Sequence, residues 1–474
     1  MEEKINAEVI GFPKPFSDED IKGIKTRLNN DIKSLALSDE EKNELKSLKE
    51  KNNLPSEEKK RFLELQKREK DYNFGLNKKN EIQNQMLLWA GYSAGICYMK
   101  SSWDEILKES PIDTLKRAEQ TLKSGHHSVF DHQQVNILFT NLPKILAMLI
   151  NNENQYTTSE KSGRYTKMTG TSEKEKELYL KWYEIITARM TEVYGDLKNY
   201  NSRFGKLGIE KLAQENARYM TSVASPTTLE YSTTVRQLNY LYSWINSFGK
   251  EGNEKIIKFL LPMLKELKEA IEIENKRLYL ESNGEKVLLE PGLHNNEKNR
   301  NFSLLVDIEE HENIKEQFGY SYTLKYKCSF PALGQMQRHR TIDYTIAIPD
   351  KPQFYVPPII KENTGLKSLE SEWNTDLKSI EDIFPQGMMV SVCETGTLPQ
   401  FIEKGKERAC IYAQYETREK YFKLNKRMYE ALKEENEFLA KKLEPYTDFR
   451  CTYPCFKCTN PCKLPNDVKR KLKI

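Results

Sequence analysis

The spacing of apolar residues changes near residue 80. Residues 1–80 combine scattered leucines with dense lysine and glutamate, as in LSDEEKNELKSLKEKNNLPSEEKKRFLELQKREK. Ser38 and Ser56 stand where helix N-caps are expected, so the stretch predicts charged helices. We interpret it as a solvated helical extension on the main body rather than as a partner-binding arm.

Beyond residue 80, strand-like and helix-like patterns alternate. Residues 133–142, QQVNILFTNL, have the apolar run of a strand, and Pro143 allows a helix, KILAMLI, to begin. Four further helices are predicted, the last bent at Pro262: 173–197, 210–219, 229–245 and 253–280.

A second body follows the polar connector GLHNNEKNRN. Residues 322–330, YTLKYKCSF, alternate like a half-buried strand, a proline-rich loop covers 349–358, and a final long helix is predicted over 401–443. Strand, arginine-containing element, loop and helix therefore follow in the same order in both bodies. This order suggests an internal repeat, although the two bodies share no long strings of identical residues.

Charge and length exclude several classes of function. The 474 residues suffice for about three domain-sized units, and 74 basic residues nearly cancel 70 acidic ones. The weak net charge does not predict a surface for the phosphate backbone of nucleic acid. The apolar stretches are too short to span a bilayer, and the beginning of the chain does not resemble a signal peptide. We therefore expect a cytoplasmic protein with no membrane contact.

Half of the eight cysteines lie near the C-terminus. Cys451, Cys455, Cys458 and Cys462 form C-x3-C-x2-C-x3-C, a spacing compatible with zinc or an iron–sulfur cluster. We predict a metal-binding tail over 446–474 and favour structural zinc over a cluster, with disulfides or free thiols as the remaining alternative. The basic end KLPNDVKRKLKI is interpreted as a frayed tail rather than an RNA contact.

Three polar clusters carry candidate chemistry. SGHHSVFDH (124–132) holds three of the six histidines and suits phosphate, flavin or metal binding, or an internally satisfied helix start. EKSGRY (160–165) combines a close-approach glycine with phosphate-binding donors. QMQRHR (335–340) places two arginines around a histidine, which by itself is more typical of a basic surface patch.

Together these clusters resemble the flavin-dependent thymidylate synthase family. The family signature RHRxxSxNExSxRY follows a GHxSxFEH-like segment, which GHHSVFDH matches. Here the signature is divided: its end survives as SEKSGRY (159–165), and its beginning as QRHR (337–340) with Gln335. The first half has Asn152, Glu153 and Asn154 in place of RHR.

Later family elements divide in the same way. The first half keeps Ala217-Arg218 and Arg236 but has Ile245 where the next arginine belongs. The second half keeps that arginine as Arg408 in RACIYAQYE, and Glu381 replaces the earlier one. Because the losses are complementary, we interpret the chain as a diverged internal duplication in which one composite site draws residues from both halves.

The resemblance implies an α+β fold with two tandem thymidylate synthase complementing protein-like domains, 81–250 and 251–445, each a mainly antiparallel sheet packed with long helices. It implies catalytic residues that face the base: Arg408, Arg338 and Gln335. It implies that the nucleotide is bound by Glu160, Ser162, Gly163, Arg164 and Arg218. It implies that FAD is bound by Ser93, His126, Ser128, Arg236, Arg338, His339 and Arg340, whereas Thr234 replaces a flavin-binding asparagine.

The implied activity is reductive methylation of dUMP to dTMP, with FAD as cofactor and NADPH and methylenetetrahydrofolate as co-substrates. Since the family is homotetrameric, we expect a homodimer that forms a pseudo-tetramer. One alternative is a flavin-dependent methylase of another pyrimidine, free or within RNA. The other is a catalytically dead scaffold that binds flavin or nucleotide, and the retention of both arginine sets argues against it.

Overall fold

The computed structural model describes most of the chain. The described residues are 4–11, 16–51, 53–78, 85–123, 127–151, 156–163, 166, 170–248, 254–279, 321–361, 366–454 and 456–471. Within these ranges, no helix combines the length and the apolar character needed to cross a membrane.

The described elements form a mixed α+β fold. The strands are β1 Asn6–Gly11, β2 Gln134–Pro143, β3 Tyr156–Glu160, β4 Pro226–Thr234, β5 Ser321–Ser329, β6 Asp343–Ala347 and β7 Met389–Thr397. The helices are α1 Asp18–Leu35, α2 Asp39–Glu50, α3 Ser56–Lys78, α4 Gln85–Tyr98, α5 Trp103–Ile106, α6 Pro111–Lys123, α7 Lys144–Ile150, α8 Glu173–Tyr194, α9 Lys206–Ala217, α10 Val235–Ser247, α11 Glu254–Tyr279, α12 Phe330–Met336, α13 Glu370–Lys378, α14 Leu398–Arg408, α15 Tyr415–Glu435, α16 Glu437–Leu443 and α17 Asn466–Lys471.

The first sheet has the antiparallel order β1-β2-β4-β3. The helix predicted over 229–245 is wrong in its first part, because β4 occupies the centre of this sheet and α10 begins only at Val235. Leu229, Tyr231 and Thr233 are buried and alternate with less buried residues. This period of two, and the pairing of β4 with strands on both sides, outweigh the helix-like look of the sequence.

The N-terminal extension is more than a helical addition. Its helices α1 to α3 agree with the prediction, Ser38 caps α2, and α3 begins at Ser56 itself. The extension also supplies β1, which pairs with β2 and which the sequence pattern did not predict. Leu28 and Ile32 of α1 belong to the main core, so the extension is packed on the body.

The second sheet has the order β5-β7-β6 and is also antiparallel. In both halves a strand leads through a short helix to a second strand, and the third strand then inserts between the first two. The elements are β2-α7-β3 and β4 in the first half, and β5-α12-β6 and β7 in the second. This shared order agrees with an internal duplication. The duplication itself stays an interpretation.

The long helix predicted over 401–443 is wrong, because it is three helices, α14, α15 and α16. Residues 409–414 leave the helix, and Arg418 Nη1 donates to the carbonyls of Ile411 and Ala413 at 3.1 and 3.2 Å. A side chain thus satisfies backbone acceptors that a helix would have used. The second break is at Asn436, which caps α16 through a bond from Leu439 N at 3.2 Å.

The two halves are joined by backbone hydrogen bonds between 219–223 and 384–387. Val223 N donates to Phe384 O at 2.9 Å, and Gln386 N donates to Thr221 O at 2.7 Å. One hydrophobic cluster contains buried side chains from both sheets, including Phe139 and Val392. The segment that follows Arg218 is therefore held against the second half.

Two glycines, one in α4 and one in α1, test how closely these helices pack on their neighbours. In Gly91→Ala the new methyl group would lie 2.3 Å from the Thr114 carbonyl oxygen, whereas nothing lies within 4 Å of the same position at Gly23. We expect Gly91→Ala to lower the free energy of unfolding by about 1–3 kcal/mol through overpacking. Gly23→Ala should raise it by up to about 1 kcal/mol through helix propensity.

Urea denaturation of both variants and of the wild type gives the comparison. Equal stability of the two variants would contradict the close packing of α4 on α6.

Candidate active site

The loop 409–414 brings Gln414 into contact with both halves of the chain. Arg218 Nη2 donates to Gln414 Oε1 at 2.7 Å, and Gln335 Nε2 donates to the same oxygen. Gln414 Nε2 in turn donates to Tyr219 Oη at 2.8 Å. An arginine of the first half and a glutamine of the second half therefore share one buried acceptor.

Arg408, the last residue of α14, joins the same group. Its Nη2 donates to the backbone oxygen of Gln335 at 2.7 Å and lies 3.2 Å from Glu407 Oε2. Arg408 and Arg218 are each only 7% exposed. The surroundings of both guanidinium groups are thus largely dry, which strengthens their electrostatic effect on any bound group.

Lys144 is a second cation of the cluster from the first half. Its Nζ donates to Glu160 Oε1 at 2.6 Å and to Lys161 O at 3.1 Å. Burial lowers the pKa of Lys144, the Glu160 carboxylate opposes this, and the charges of Arg218 and Arg338 lower it further. Arg218 and Arg338 therefore both act on the ammonium group of Lys144.

Sequence reasoning missed Lys144 as a member of the site. The only signal was a lysine at the start of the otherwise apolar KILAMLI. Gln414 was also missed, although it lies inside the RACIYAQYE segment that carries the resemblance.

The RHR segment faces the first sheet. Arg340 Nη2 donates to Thr158 O at 3.3 Å, and its guanidinium lies 5.1 Å from the centre of the Tyr156 ring, both in β3. His339 is mostly buried, and its Nε2 has no hydrogen-bond partner among the described residues. Burial, together with the charges of Arg408 and Lys404, lowers the pKa of His339 to about 2, so the imidazole is neutral.

Buried carboxylates next to the cluster bind the elements that carry it. Glu416 accepts hydrogen bonds from Ser329 N and Tyr219 Oη, each at 2.8 Å, which ties the end of β5 to the residue after Arg218. Burial raises the pKa of Glu416, and its bonds from Ser329 oppose the rise. Glu394 accepts from Lys404 one helical turn before Arg408. These bonds restrict the positions of Tyr219 and α14.

The structure describes the remaining predicted residues to different extents. Ser162 and Gly163 follow β3, and Gly163 O accepts from Gln214 Nε2 at 3.4 Å. Ser93 is buried in α4. Ser128 lies in the 3-10 helix His127–Phe130 and Arg236 in α10, with only their backbones described. Arg164 and His126 lie outside the described residues.

Thr234 is the N-cap of α10. Its side chain accepts from Gln237 N at 3.1 Å and contacts Asp131 Oδ1 at 3.3 Å. Since threonine and asparagine both cap helices, this position keeps a local structural role next to Arg236.

The cysteine tail packs next to this site. Cys451, Cys458 and Cys462 are free thiols, and Cys455 lies outside the described residues. Burial raises the pKa of the Cys451 thiol, Lys469 opposes the rise, and the Cys462 and Cys410 thiols add to it. Over the described part of the chain, no three His, Cys, Asp or Glu side chains are grouped so as to hold one metal ion. The metal centre therefore stays a prediction.

Comparison with known proteins gives a family match in the first half. Residues 88–271 match the family model Thy1, described as thymidylate synthase complementing protein. The matched part of the chain contains β2, β3, β4 and Arg218. A search of curated proteins gives no match.

Three solved structures are similar to parts of the chain. A flavin-dependent thymidylate synthase ThyX from Helicobacter pylori, complexed with FAD and dUMP, is 19% identical, with 41% of this chain and 93% of that chain covered and a TM-score of 0.26. Thymidylate synthase X from the same organism, with FAD and dUMP, is 17% identical, with 44% and 94% covered and a TM-score of 0.25. A UMP/dUMP methylase PolB from Streptomyces cacaoi, bound with 5-Br dUMP, is 13% identical, with 41% and 88% covered and a TM-score of 0.25.

The neutral state of His339 predicts a pH dependence of stability. Because its folded pKa is lowered from 6.5 to about 2, the unfolded chain takes up a proton below pH 6.5 that the folded protein does not. Stability is therefore lost as the pH falls through 6.5. Between pH 7.5 and 5.5 the wild type should lose about 1 kcal/mol more than His339→Gln.

Urea denaturation at the two pH values measures the difference. His132→Gln, which removes an exposed imidazole, is the control and should behave as the wild type does. If the wild type and His339→Gln lost equal stability between pH 7.5 and 5.5, His339 would take up a proton in the folded protein as it does in the unfolded chain. That result would contradict the neutral imidazole.

Proposed function

We propose that the protein is a flavin-dependent thymidylate synthase that methylates dUMP to dTMP, with FAD as cofactor and NADPH and methylenetetrahydrofolate as co-substrates. The observation that supports this most is the meeting of Arg218 and Gln335 on Gln414, with Arg408 bonded to Gln335. Residues kept separately by the two halves thus lie together, and Arg218 is inside the segment that matches the Thy1 family model.

The nucleotide is proposed to bind on the first-half side of this cluster. Arginine offers a planar fork of donors that suits phosphate, and Arg218 and Arg164 are assigned this role. Ser162 and Gly163 offer a hydroxyl and a backbone that a phosphate or sugar can approach closely. Glu160 is already paired with Lys144, so it is proposed to accept from the sugar with its second oxygen.

The residues around His339 fit a flavin. Gln335 Oε1 and His339 Nε2 are buried and have no hydrogen-bond partner among the described residues, so a bound ring with polar edges would satisfy both. Arg338 and Arg340 add positive charge, and the proposed flavin set is completed by Ser93, His126, Ser128 and Arg236. When bound, reduced flavin supplies the hydride for the reaction.

Activation of the base is assigned to Arg408 and Arg338. A guanidinium group donates hydrogen bonds and has no acceptor, so these arginines are assigned to stabilise negative charge on the pyrimidine carbonyls. Arg408 is largely buried, and a preorganised donor that is shielded from water contributes on the order of several kcal/mol to the reaction. The bond from Arg408 to the Gln335 backbone keeps one nitrogen in place and limits the orientations of the guanidinium.

The test is production of dTMP from dUMP, methylenetetrahydrofolate and NADPH by the purified FAD-loaded protein. We expect Arg408→Ala and Arg218→Ala each to lower kcat/KM by about 100-fold or more, as loss of a transition-state donor does. Arg427→Ala is the control, because Arg427 is exposed and its Nη1 donates to Lys325 O of β5 at 3.2 Å. Its activity should equal that of the wild type.

Other outcomes discriminate the alternatives. Turnover of UMP or of a pyrimidine in RNA, without turnover of dUMP, would replace the proposed substrate while keeping the chemistry. Binding of FAD and nucleotide with no turnover of any pyrimidine would identify a scaffold.

A double variant tests whether the two halves build one site. If Arg218 and Arg408 act in the same cavity, the loss in Arg218→Ala with Arg408→Ala should be well below the product of the two single losses. Mixing the two single variants should restore no activity, because the two arginines meet within one chain. Restored activity would show that the site forms between chains.

We also propose that two chains form a homodimer equivalent to a tetramer of single-repeat subunits. Light scattering should then give twice the mass of the chain, and a monomer at micromolar concentration would contradict this.

A further inference from the structure

We propose that Cys410, together with Cys451, Cys458 and Cys462, binds an iron–sulfur cluster beside the candidate active site. Cys410 does not belong to the C-terminal cysteine motif. It is the second residue after Arg408 and lies in the loop 409–414. This proposal is independent of the proposed function, because it concerns only metal content and thiol ligation.

The four cysteines line one cavity. The cavity measures about 180 Å³, and its wall is formed by the loop at Cys410, by the turn at Cys451 and by the tail from Cys458 to Cys462. Three of the thiols thus come from the tail and the fourth comes from the body of the second half. The spacing of the cysteines along the chain does not predict that Cys410 lies beside the tail.

Hydrogen bonds to backbone carbonyl oxygens attach the tail to the body at this place. Arg450 N donates to Ala409 O at 2.8 Å, and Arg450 Nη1 donates to Lys406 O at 2.7 Å. Asn201 Nδ2 donates to Cys462 O at 2.9 Å. The cysteines are therefore held around the cavity by contacts that do not require the metal.

The residues that line the cavity suit a negatively charged cluster with thiolate ligands. Among the described residues that line the cavity, cysteine is the only type that commonly binds a soft metal, and no Asp, Glu or His contributes. Arg450, Lys463 and Lys469 also line the wall and bring positive charge. They would offset the negative charge of a cluster with four thiolate ligands.

The size of the cavity favours a cluster over a single zinc ion. Four thiolates at about 2.3 Å from zinc leave sulfur atoms about 4 Å apart and no empty space between them. Here the four cysteines line a cavity of about 180 Å³, which is more space than a zinc ion with four thiolates leaves. An iron–sulfur core, held by four cysteines, would fill such a space. This geometry reverses the preference for zinc that the spacing of the tail had suggested.

Metal analysis of the full-length protein tests the proposal. The protein is purified without oxygen from cells supplied with iron and zinc, and iron, zinc and acid-labile sulfide are measured, with Mössbauer spectroscopy to separate the cluster from flavin absorbance. We expect about four iron and four sulfide per chain, the content of a [4Fe–4S] cluster. One equivalent of zinc without sulfide, or a metal-free protein, would overturn the proposal.

Cysteine variants test the ligand assignment. Cys410→Ala should lose at least half of the iron, whereas Cys97→Ala, an exposed cysteine in α4, should keep all of it. Cys455→Ala is the decisive comparison. Full loss of iron in Cys455→Ala with full retention in Cys410→Ala would show that the tail motif binds alone and would overturn the role of Cys410.

Thiol labelling of the unaltered protein covers the case in which Cys410→Ala does not fold. Iodoacetamide should leave Cys410, Cys451, Cys458 and Cys462 unmodified in the loaded protein and modify them after iron is chelated. Cys97 should be modified in both states. Modification of Cys410 in the loaded protein would contradict its ligation.

Discussion

The architecture of the candidate site depends on the buried contact between Arg218 and Gln414. Arg218 is only 7% exposed, so its buried charged group needs partners in the protein or in a bound ligand. Gln414 is one such partner and simultaneously accepts from Gln335. A single amide oxygen therefore joins donors from the two halves, and removing it would leave both without this acceptor.

Hydrogen bonds from the surrounding elements hold Arg218 and Gln414 in position. Tyr219, next to Arg218, bonds to Gln414 and to Glu416, and Glu416 also bonds to Ser329 at the end of β5. Backbone bonds between 219–223 and 384–387 hold the same segment against the second sheet. Positioning by buried hydrogen bonds from several elements suits a site whose catalysis is mainly electrostatic, because such donors need not reorganise during the reaction.

Errors in the sequence-based fold share a physical cause. Residues 229–234 resemble a helix locally but form the central strand of the first sheet, because β2 and β3 pair with them from both sides. The predicted helix over 401–443 breaks at 409–414, where Arg418 captures two carbonyl groups. Strand β1 was missed because its stability depends on pairing with β2, which is far away in the chain. Non-local pairing and tertiary contacts outweigh local propensity in each case.

The sequence by itself determined the positions of β2, α7, α11 and β5 and the division of the arginine motifs between two halves, and the resemblance that these motifs carry implied the α+β class. These features follow from local periodicity, proline placement and residue identity, which a linear chain displays directly. Only the tertiary structure decided that Arg218 meets Gln335 through Gln414, that Lys144 joins the cationic cluster, and that Cys410 borders the cysteine tail. Such meetings depend on how distant segments pack, and no local pattern encodes the distance between side chains that are far apart along the chain.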